Sequence, residues 1–186
     1  MFDTALTVND LIFLAKGAGM TIFVTAISVF FGTILGIVFG VVRFQVGPVW
    51  AAPLTFVLDI FRSIPLLIQL VLANAFVTTV LGFRISGLSV ACGVLSLYTS
   101  AYCAEIVRGG IESVPVTLRR ASRSLGMTWW QDMSNIVLPL ATRVALPSWI
   151  GLALGVMKDS ALVFIVQVVE LLKSTQILIT RLQEPL

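Results

Sequence analysis

The feature that most constrains this chain is an uncharged stretch of 26 residues, from 17 to 42. An α-helix rises about 1.5 Å per residue, so this stretch is long enough to cross the roughly 30 Å hydrocarbon core of a bilayer. Apolar residues make up 58% of the chain and charged residues 11%, against about 25% charged in a soluble domain. The sequence therefore predicts an all-α, polytopic membrane protein.

Further apolar segments follow the first span. Pro48 and Pro53 interrupt residues 44–58, which predicts a turn and an interfacial segment there. Two more spans are expected over residues 63–83 and 85–104. Within the first span Gly32, Gly36 and Gly40 recur every fourth residue. This spacing predicts close packing against another helix of the chain, with subunit dimerisation as the second use.

The fourth apolar segment is short. Only fourteen uncharged residues separate Arg143 from Lys158, a helical length of about 22 Å. If Arg143 lies at the inner interface, Lys158 and Asp159 remain within the hydrophobic zone. Residues 160–169 are too few to span and are expected to form a buried or re-entrant piece.

A charged pair at that depth is by default a functional-site hypothesis. Because Lys158 and Asp159 are adjacent, their side chains diverge by about 100° on a helix and suit the two ends of a zwitterion better than each other. The alternative is structural: Lys158 reaches to the outer interface and Asp159 caps a helix.

Five of the twelve basic residues lie between residues 108 and 143, which places the polar segment 108–141 in the cytoplasm and, counting back three spans, the N-terminus outside. Its apolar and small residues recur at i, i+3, i+4 and i+7, which predicts one face of a short amphipathic helix. That face comprises Leu118, Ala121, Ser122 and Leu125, and the remaining surface carries Arg119, Arg120 and Arg123. A loop that is merely basic is the alternative.

Several classes of function are disfavoured. The chain has no histidine, and Cys92 and Cys103 lie in one apolar run, so neither a metal site nor a disulfide framework is expected. Outside the loop the sequence has no basic stripe interleaved with aromatic residues, so binding of nucleic acid is not expected. It also has no nucleophile–base pair, so an enzyme is not expected either. A phosphate-binding loop is also missing from the sequence, so ATP-driven work would need a partner subunit.

One spaced motif and three segments of the chain resemble known sequences. From Arg120 the chain reads Arg-Ala-Ser, three residues, Gly126, nine residues, Ile136, one residue, Leu138-Pro139. This resembles the EAA loop (EAA-x3-G-x9-I-x-LP) of ABC importer permeases. The segments LGVMKDSALVF, DIFRSIPLLIQL and SLYTSAYCAEIVRGGIESVP are similar to LLKDTSLV, ELFRGTPLLVQL and SLNSGAYLAEIFRGGIQSIP of the polar amino-acid permease family, which includes histidine, glutamine and arginine importers.

The resemblance implies a type I ABC importer permease-like bundle, with residues 1–186 as one transmembrane domain and 108–141 as its cytoplasmic coupling loop. In the family a last membrane helix follows the point where this chain ends. The implied function is ATP-driven import of a polar amino acid or related zwitterion across the bacterial inner membrane by alternating access. The implied partners are ABC ATPase subunits that use the ATP, a second permease subunit in a homo- or heterodimer, an extracytoplasmic solute-binding protein and membrane lipid. No cofactor of its own is expected. An ATP-independent secondary transporter or channel is the alternative.

The resemblance also implies site residues. For substrate it indicates Lys158, Asp159, Tyr102, Tyr98, Gln69 and Glu105, although an ion pair with Arg108 is the expected role of Glu105. For coupling to the ATPase it indicates the 117–126 helix, with Leu118, Arg119, Arg120, Ala121, Ser122, Leu125 and Gly126. Arg120 replaces the family's glutamate, which implies either an acidic partner surface or weaker coupling. Tyr98 and Ile64 replace an asparagine and a threonine of the family, so substrate choice is expected to differ.

Overall fold

A computed structural model describes residues 7–80, 82 and 85–183, and these residues form helices and no strand, as predicted. The α-helices are α1 (Val8–Gln45), α2 (Gly47–Ser63), α3 (Leu66–Ala75), α4 (Gly87–Glu112), α5 (Val116–Ser124), α6 (Trp129–Asp132), α7 (Leu138–Asp159) and α8 (Leu171–Gln183). π-Helical segments cover Phe76–Val80 and Met133–Val137, and a 3₁₀ helix covers Ser160–Val166. The first six residues, which were expected outside the membrane, and the end of the second predicted span at residue 83 lie outside the described residues.

Three of the described helical runs are long and apolar enough to cross a membrane: Val8–Gln45, Gly87–Glu112 and Trp129–Val166. The segments Gly47–Ser63 and Leu66–Val80 give a fourth span if they count as one broken helix. The first and third predicted spans are confirmed and are longer than expected. The prediction of a short fourth span was wrong. The helical run starts at Trp129, and the charged residue Arg143 does not interrupt it.

The turn expected within 44–58 is present, because α1 ends at Gln45, α2 begins at Gly47 and Gly47 adopts φ +76°. The expectation that the prolines interrupt this stretch was wrong, because most of it belongs to α2. Its interfacial position stays a prediction. Pro48 is the second residue of α2. Proline is tolerated there because the N–H groups of the first helical turn have no acceptor within the helix, so no hydrogen bond is lost. Pro53 lies inside the helix, which tolerates it. The break comes instead at Pro65, the N-cap residue of α3, since a proline disfavours helical geometry at the preceding Ile64.

The chain divides into two compact units. The first contains residues 1–30, 64–96 and 155–186. In it the buried Glu170 accepts hydrogen bonds from the N–H groups of Leu172 (2.8 Å) and Lys173 (2.7 Å), which caps the start of α8. The Thr21 hydroxyl of α1 donates to the same carboxylate, at 3.4 Å. Further along, Arg181 pairs with Asp10 at 2.7 Å, so α8 is tied to α1 at two levels.

The second unit contains residues 31–63 and 97–154. Here the glycine repeat has the intramolecular use that the sequence predicts. A Cβ at Gly36 would lie 2.4 Å from Cβ of Cys103, and one at Gly40 would lie 2.7 Å from the Ala104 carbonyl oxygen. The absence of side chains at these two positions therefore lets α1 approach α4. Around the contact pack two buried apolar clusters, formed by Leu58, Ala101 and Ala104 and by Ile111, Val114, Met133, Val137 and Ala141.

We expect Gly40→Val to destabilise the second unit, because the new side chain meets backbone of α4 that cannot rotate away. Overpacking of this kind typically costs about 1–3 kcal/mol. Gly19→Val is the matched control on the same helix, since a Cβ there has no neighbour within 4 Å in the part of the chain that the structure describes. Thermal unfolding in detergent, followed by tryptophan fluorescence, should show a lower Tm for the first variant only. Equal Tm values for the two variants would contradict the close α1–α4 contact.

Candidate functional site

One carboxylate joins three helices of the second unit. Glu105 of α4 accepts a hydrogen bond from the Arg43 guanidinium of α1 at 2.9 Å, and Arg62 of α2 lies 3.5 Å from the same oxygen. Its other oxygen pairs with Arg108, which confirms the local ion pair that the sequence predicts. Arg43 is buried and also donates to the Thr55 hydroxyl at 3.0 Å. The carboxylate is thus engaged by arginines, and the substrate role implied for it stays a prediction.

Two tyrosines implied in the substrate site lie next to this cluster on α4. The rings of Tyr98 and Tyr102 contact each other, with centroids 4.8 Å apart and planes tilted by 53°. The Tyr102 hydroxyl donates to the backbone carbonyl of Arg62, at 3.4 Å. Asp59 also pairs with Arg62, three residues further along α2, so the same end of α2 is held by several contacts.

The charged pair Lys158–Asp159 lies at the end of α7, in the first unit. Lys158 is exposed and Asp159 is half-buried. Asp159 occupies the position before the 3₁₀ helix but makes no side-chain capping hydrogen bond, so helix capping does not explain it. Among the described residues, neither side chain has a hydrogen-bond or ion-pair partner. α3, which carries the buried Gln69, packs against the 3₁₀ helix that follows Asp159.

The predicted amphipathic helix is α5, and its C-terminus explains the glycine of the EAA-like spacing. Gly126 adopts φ +80°, a left-handed conformation that side chains disfavour. The Gly126 N–H donates to the Arg123 carbonyl (3.0 Å) and the Met127 N–H to the Ser122 carbonyl (3.1 Å). This pair of bonds is the Schellman motif, which ends the helix and fixes the direction of the chain after it.

The orientation of α5 differs from a simple apolar-face-inward arrangement. Ser122 is buried, whereas Leu118 and Leu125 are 44% and 80% exposed and Ala121 is exposed too. Ser122 donates to a carboxylate oxygen of Asp132 at 2.6 Å, and Nε of Arg119 lies 3.5 Å from the other oxygen. The helix therefore docks on its own chain through polar side chains and leaves an apolar ridge, Leu118, Ala121 and Leu125, uncovered.

Asp132 is the functional candidate that sequence reasoning missed. It is 1% exposed and ends α6, a single turn that begins with a capping box. In that box Thr128 accepts from the Gln131 N–H, and Gln131 accepts from the Thr128 N–H at 2.8 Å. The spacing T-x-x-Q before Asp132 was the available signal for this turn. Trp129 packs on the apolar cluster beside it, while Trp130 is exposed.

Comparison with known proteins identifies the group to which this architecture belongs. Residues 29–177 match the family described as the inner membrane component of binding-protein-dependent transport systems. The chain belongs to this family. It is therefore a multi-pass inner membrane transport component, as the sequence resemblance implies, and any ATP hydrolysis belongs to a separate subunit of such a system.

The similarity extends over most of the chain. It is 32% identical to the probable amino-acid ABC transporter permease protein YckA of Bacillus subtilis, over 96% of this chain and 78% of YckA. The fold is similar to a crystal structure of an amino acid ABC transporter, with a TM-score of 0.82 and 25% identity, covering 95% of this chain and 84% of that one. It is also similar to the MetNI methionine ABC transporter, with a TM-score of 0.72 and 26% identity over 84% and 76% of the two chains. These findings support an ABC importer permease and not the ATP-independent alternative.

The ion-pair cluster yields a test of the role of Glu105. Glu105→Gln should lower the free energy of unfolding by about 1.5–3 kcal/mol per charged hydrogen bond lost, because it leaves the buried Arg43 without a counter-charge. Glu112→Gln is the control, since Glu112 pairs with Arg108 at an exposed site where ion pairs contribute less than about 1 kcal/mol. Thermal unfolding in detergent measures both. A Glu105→Gln variant as stable as the control would show that Glu105 does not hold the three helices together.

Proposed function

We propose that this chain is the permease subunit of an ATP-driven importer of a polar amino acid or related zwitterion, coupled to a separate ATPase through α5. The observation that carries the coupling is the orientation of this helix. Its polar residues Ser122 and Arg119 bind Asp132 of the same chain, and its apolar ridge is exposed. In a membrane protein, an exposed ridge on a polar loop fits a groove on a soluble partner.

The charges beside the ridge indicate the chemistry of that partner. Arg120 and Arg123 are exposed and have no ion-pair partner among the described residues. Two free guanidinium groups favour a surface that carries carboxylates, because like charge across an interface is unfavourable. We therefore favour an acidic ATPase surface at Arg120 over weaker coupling. ATP would be bound and hydrolysed in that partner, and this chain would need no cofactor.

The remaining partners and the topology follow from the family and the distribution of charge. The basic segment 108–141 supports a cytoplasmic loop and an N-terminus on the outer side. The transport systems of this family depend on a binding protein, which supports an extracytoplasmic solute-binding partner. Similarity to MetNI supports assembly with ATPase subunits and with a second permease subunit, identical or not.

Lys158 and Asp159 are the substrate ligands that the structure favours most. Their charges have no partner among the described residues, and unpaired charges on an apolar span are costly unless a ligand or water uses them. A zwitterion would place its carboxylate on the ammonium and its amine on the carboxylate. YckA is named as a probable amino-acid transporter permease and MetNI as a methionine transporter, and both names agree with a zwitterionic ligand. Gln69 lies on the helix packed beside them, and Tyr98, Tyr102 and Glu105 keep their implied roles as predictions.

Coupling through α5 is tested by Gly126→Val in the complex reconstituted with its cognate ATPase and binding protein. A β-branched residue disfavours φ +80°, so the helix end and the ridge should change direction. We expect normal membrane insertion, assembly reduced or unchanged, and loss of substrate-stimulated ATP hydrolysis.

Gly109→Val is the matched control, because Gly109 has no positive φ and a Cβ there meets none of the described residues within 4 Å. It should retain stimulation. Unchanged stimulation in Gly126→Val would contradict the coupling role of α5. A wild-type chain that neither co-purifies with an ATPase nor needs ATP for uptake would contradict the proposed function itself.

The substrate role of Asp159 predicts that Asp159→Asn lowers uptake at least about tenfold, since it removes one charged contact worth about 1.5–3 kcal/mol. Basal ATP hydrolysis should persist, because α5 is not altered. Asp59→Asn is the control at a half-exposed ion pair. Uptake of radiolabelled amino acids into proteoliposomes containing the complete complex measures the effect, and equal uptake by the two variants would exclude Asp159 as a substrate ligand.

A further inference from the structure

The contact between α5 and Asp132 is built from buried polar atoms. Asp132 and Ser122 are each 1% exposed, and their hydrogen bond of 2.6 Å connects residues ten positions apart. Nε of Arg119 and one Asp132 oxygen face each other at 3.5 Å with no hydrogen-bond partner among the described residues. A buried carboxylate that lacks a hydrogen-bond donor or a counter-charge is unfavourable. The contacts of Asp132 with Ser122 and Arg119 therefore restrict the positions that α5 can adopt.

The same contact is continuous with two membrane helices. Asp132 is followed at once by the π-helical segment Met133–Val137 and then by α7, so a displacement of Asp132 acts on the first turn of α7. Interruptions of this π type in α-helices occur often at functional sites. The Arg119 guanidinium lies 5.1 Å above the ring of Phe44, near the end of α1. Hence α5 contacts the end of one span and the beginning of another through a single polar cluster.

We propose that Asp132 is a positioning residue that transmits displacement of α5 to α7, through its hydrogen bond to Ser122 and its ion pair with Arg119. The proposal rests on the proposed function, in which α5 meets the ATPase. It also explains one departure of this chain from the EAA spacing. Serine stands at the position of the second alanine because its hydroxyl satisfies the buried carboxylate. An alanine at position 122, although it matches the motif, should therefore impair this particular chain.

The test uses the complete complex in proteoliposomes and measures substrate transported per ATP hydrolysed. Ser122→Ala should lower this ratio several-fold and Asp132→Asn about tenfold, the effect of losing a charge-assisted hydrogen bond. Ser124→Ala is the matched control, because Ser124 lies exposed on the same helix and, among the described residues, bonds only to its own helix backbone, at the Arg120 carbonyl. In the same samples, amide hydrogen exchange over residues 116–124 should rise about tenfold in Asp132→Asn and stay at the wild-type rate in the control.

A purely structural role is separated by replacing the ion pair with apolar residues. Arg119→Met combined with Asp132→Leu removes the buried carboxylate together with its half-buried partner, and such replacements often preserve stability. Positioning predicts that this double variant keeps the wild-type Tm and a low transport-to-ATP ratio. A wild-type ratio at a wild-type Tm would overturn the proposal, as would unchanged ratios in both Ser122→Ala and Asp132→Asn. Each of these outcomes leaves the proposed function intact, provided that the wild-type complex shows ATP-dependent uptake.

Discussion

The engagement of Glu105 by arginines of α1, α2 and α4 is the interaction on which the second unit depends. Apolar side chains alone would let helices slide along one another, since lipid is as apolar as a leucine. A carboxylate shared by Arg43 and Arg62 fixes the relative height of all three helices. Arg43 also precedes Phe44 in the chain, and the Arg119 guanidinium lies over the ring of Phe44. The ion-pair cluster and the α5–Asp132 contact are therefore adjacent parts of one polar framework.

The sequence predicts the helical class and the spans well because both depend on local properties. Uncharged length determines whether a helix can cross a bilayer, and the first and third spans follow from it directly. Proline was the poorer guide. Pro53 reads as a helix breaker in a soluble context, yet it lies within α2, whereas Pro65 ends that stretch through its effect on Ile64. The effect of each proline depends on its surroundings in the folded chain, and the order of residues alone does not show these surroundings.

The same division between local and distant contacts applies to the candidate sites. Glu105 and Arg108 are three residues apart on a helix, so their pairing was predictable, but the contribution of Arg43 comes from 62 residues away. For α5, the spacing predicts the amphipathic helix and Gly126 at its end. It does not predict which face turns inward, because the partner that decides this, Asp132, lies beyond the helix and carries no motif of its own.

The orientation of α5 also changes the meaning of its basic residues. The helix carries three arginines, but Arg119 is directed at the buried Asp132 and contributes little positive charge to the outer surface. Arg120 and Arg123 remain, beside an apolar ridge that no described residue covers. The positive-inside rule already accounts for basic residues on this segment, so the support for an acidic partner comes from the exposure of both arginines beside the ridge. An apolar ridge with two cations beside it can dock in one orientation on a partner. The partner surface that we propose is a groove lined by acidic residues, because it matches both the shape and the charge of this side of α5.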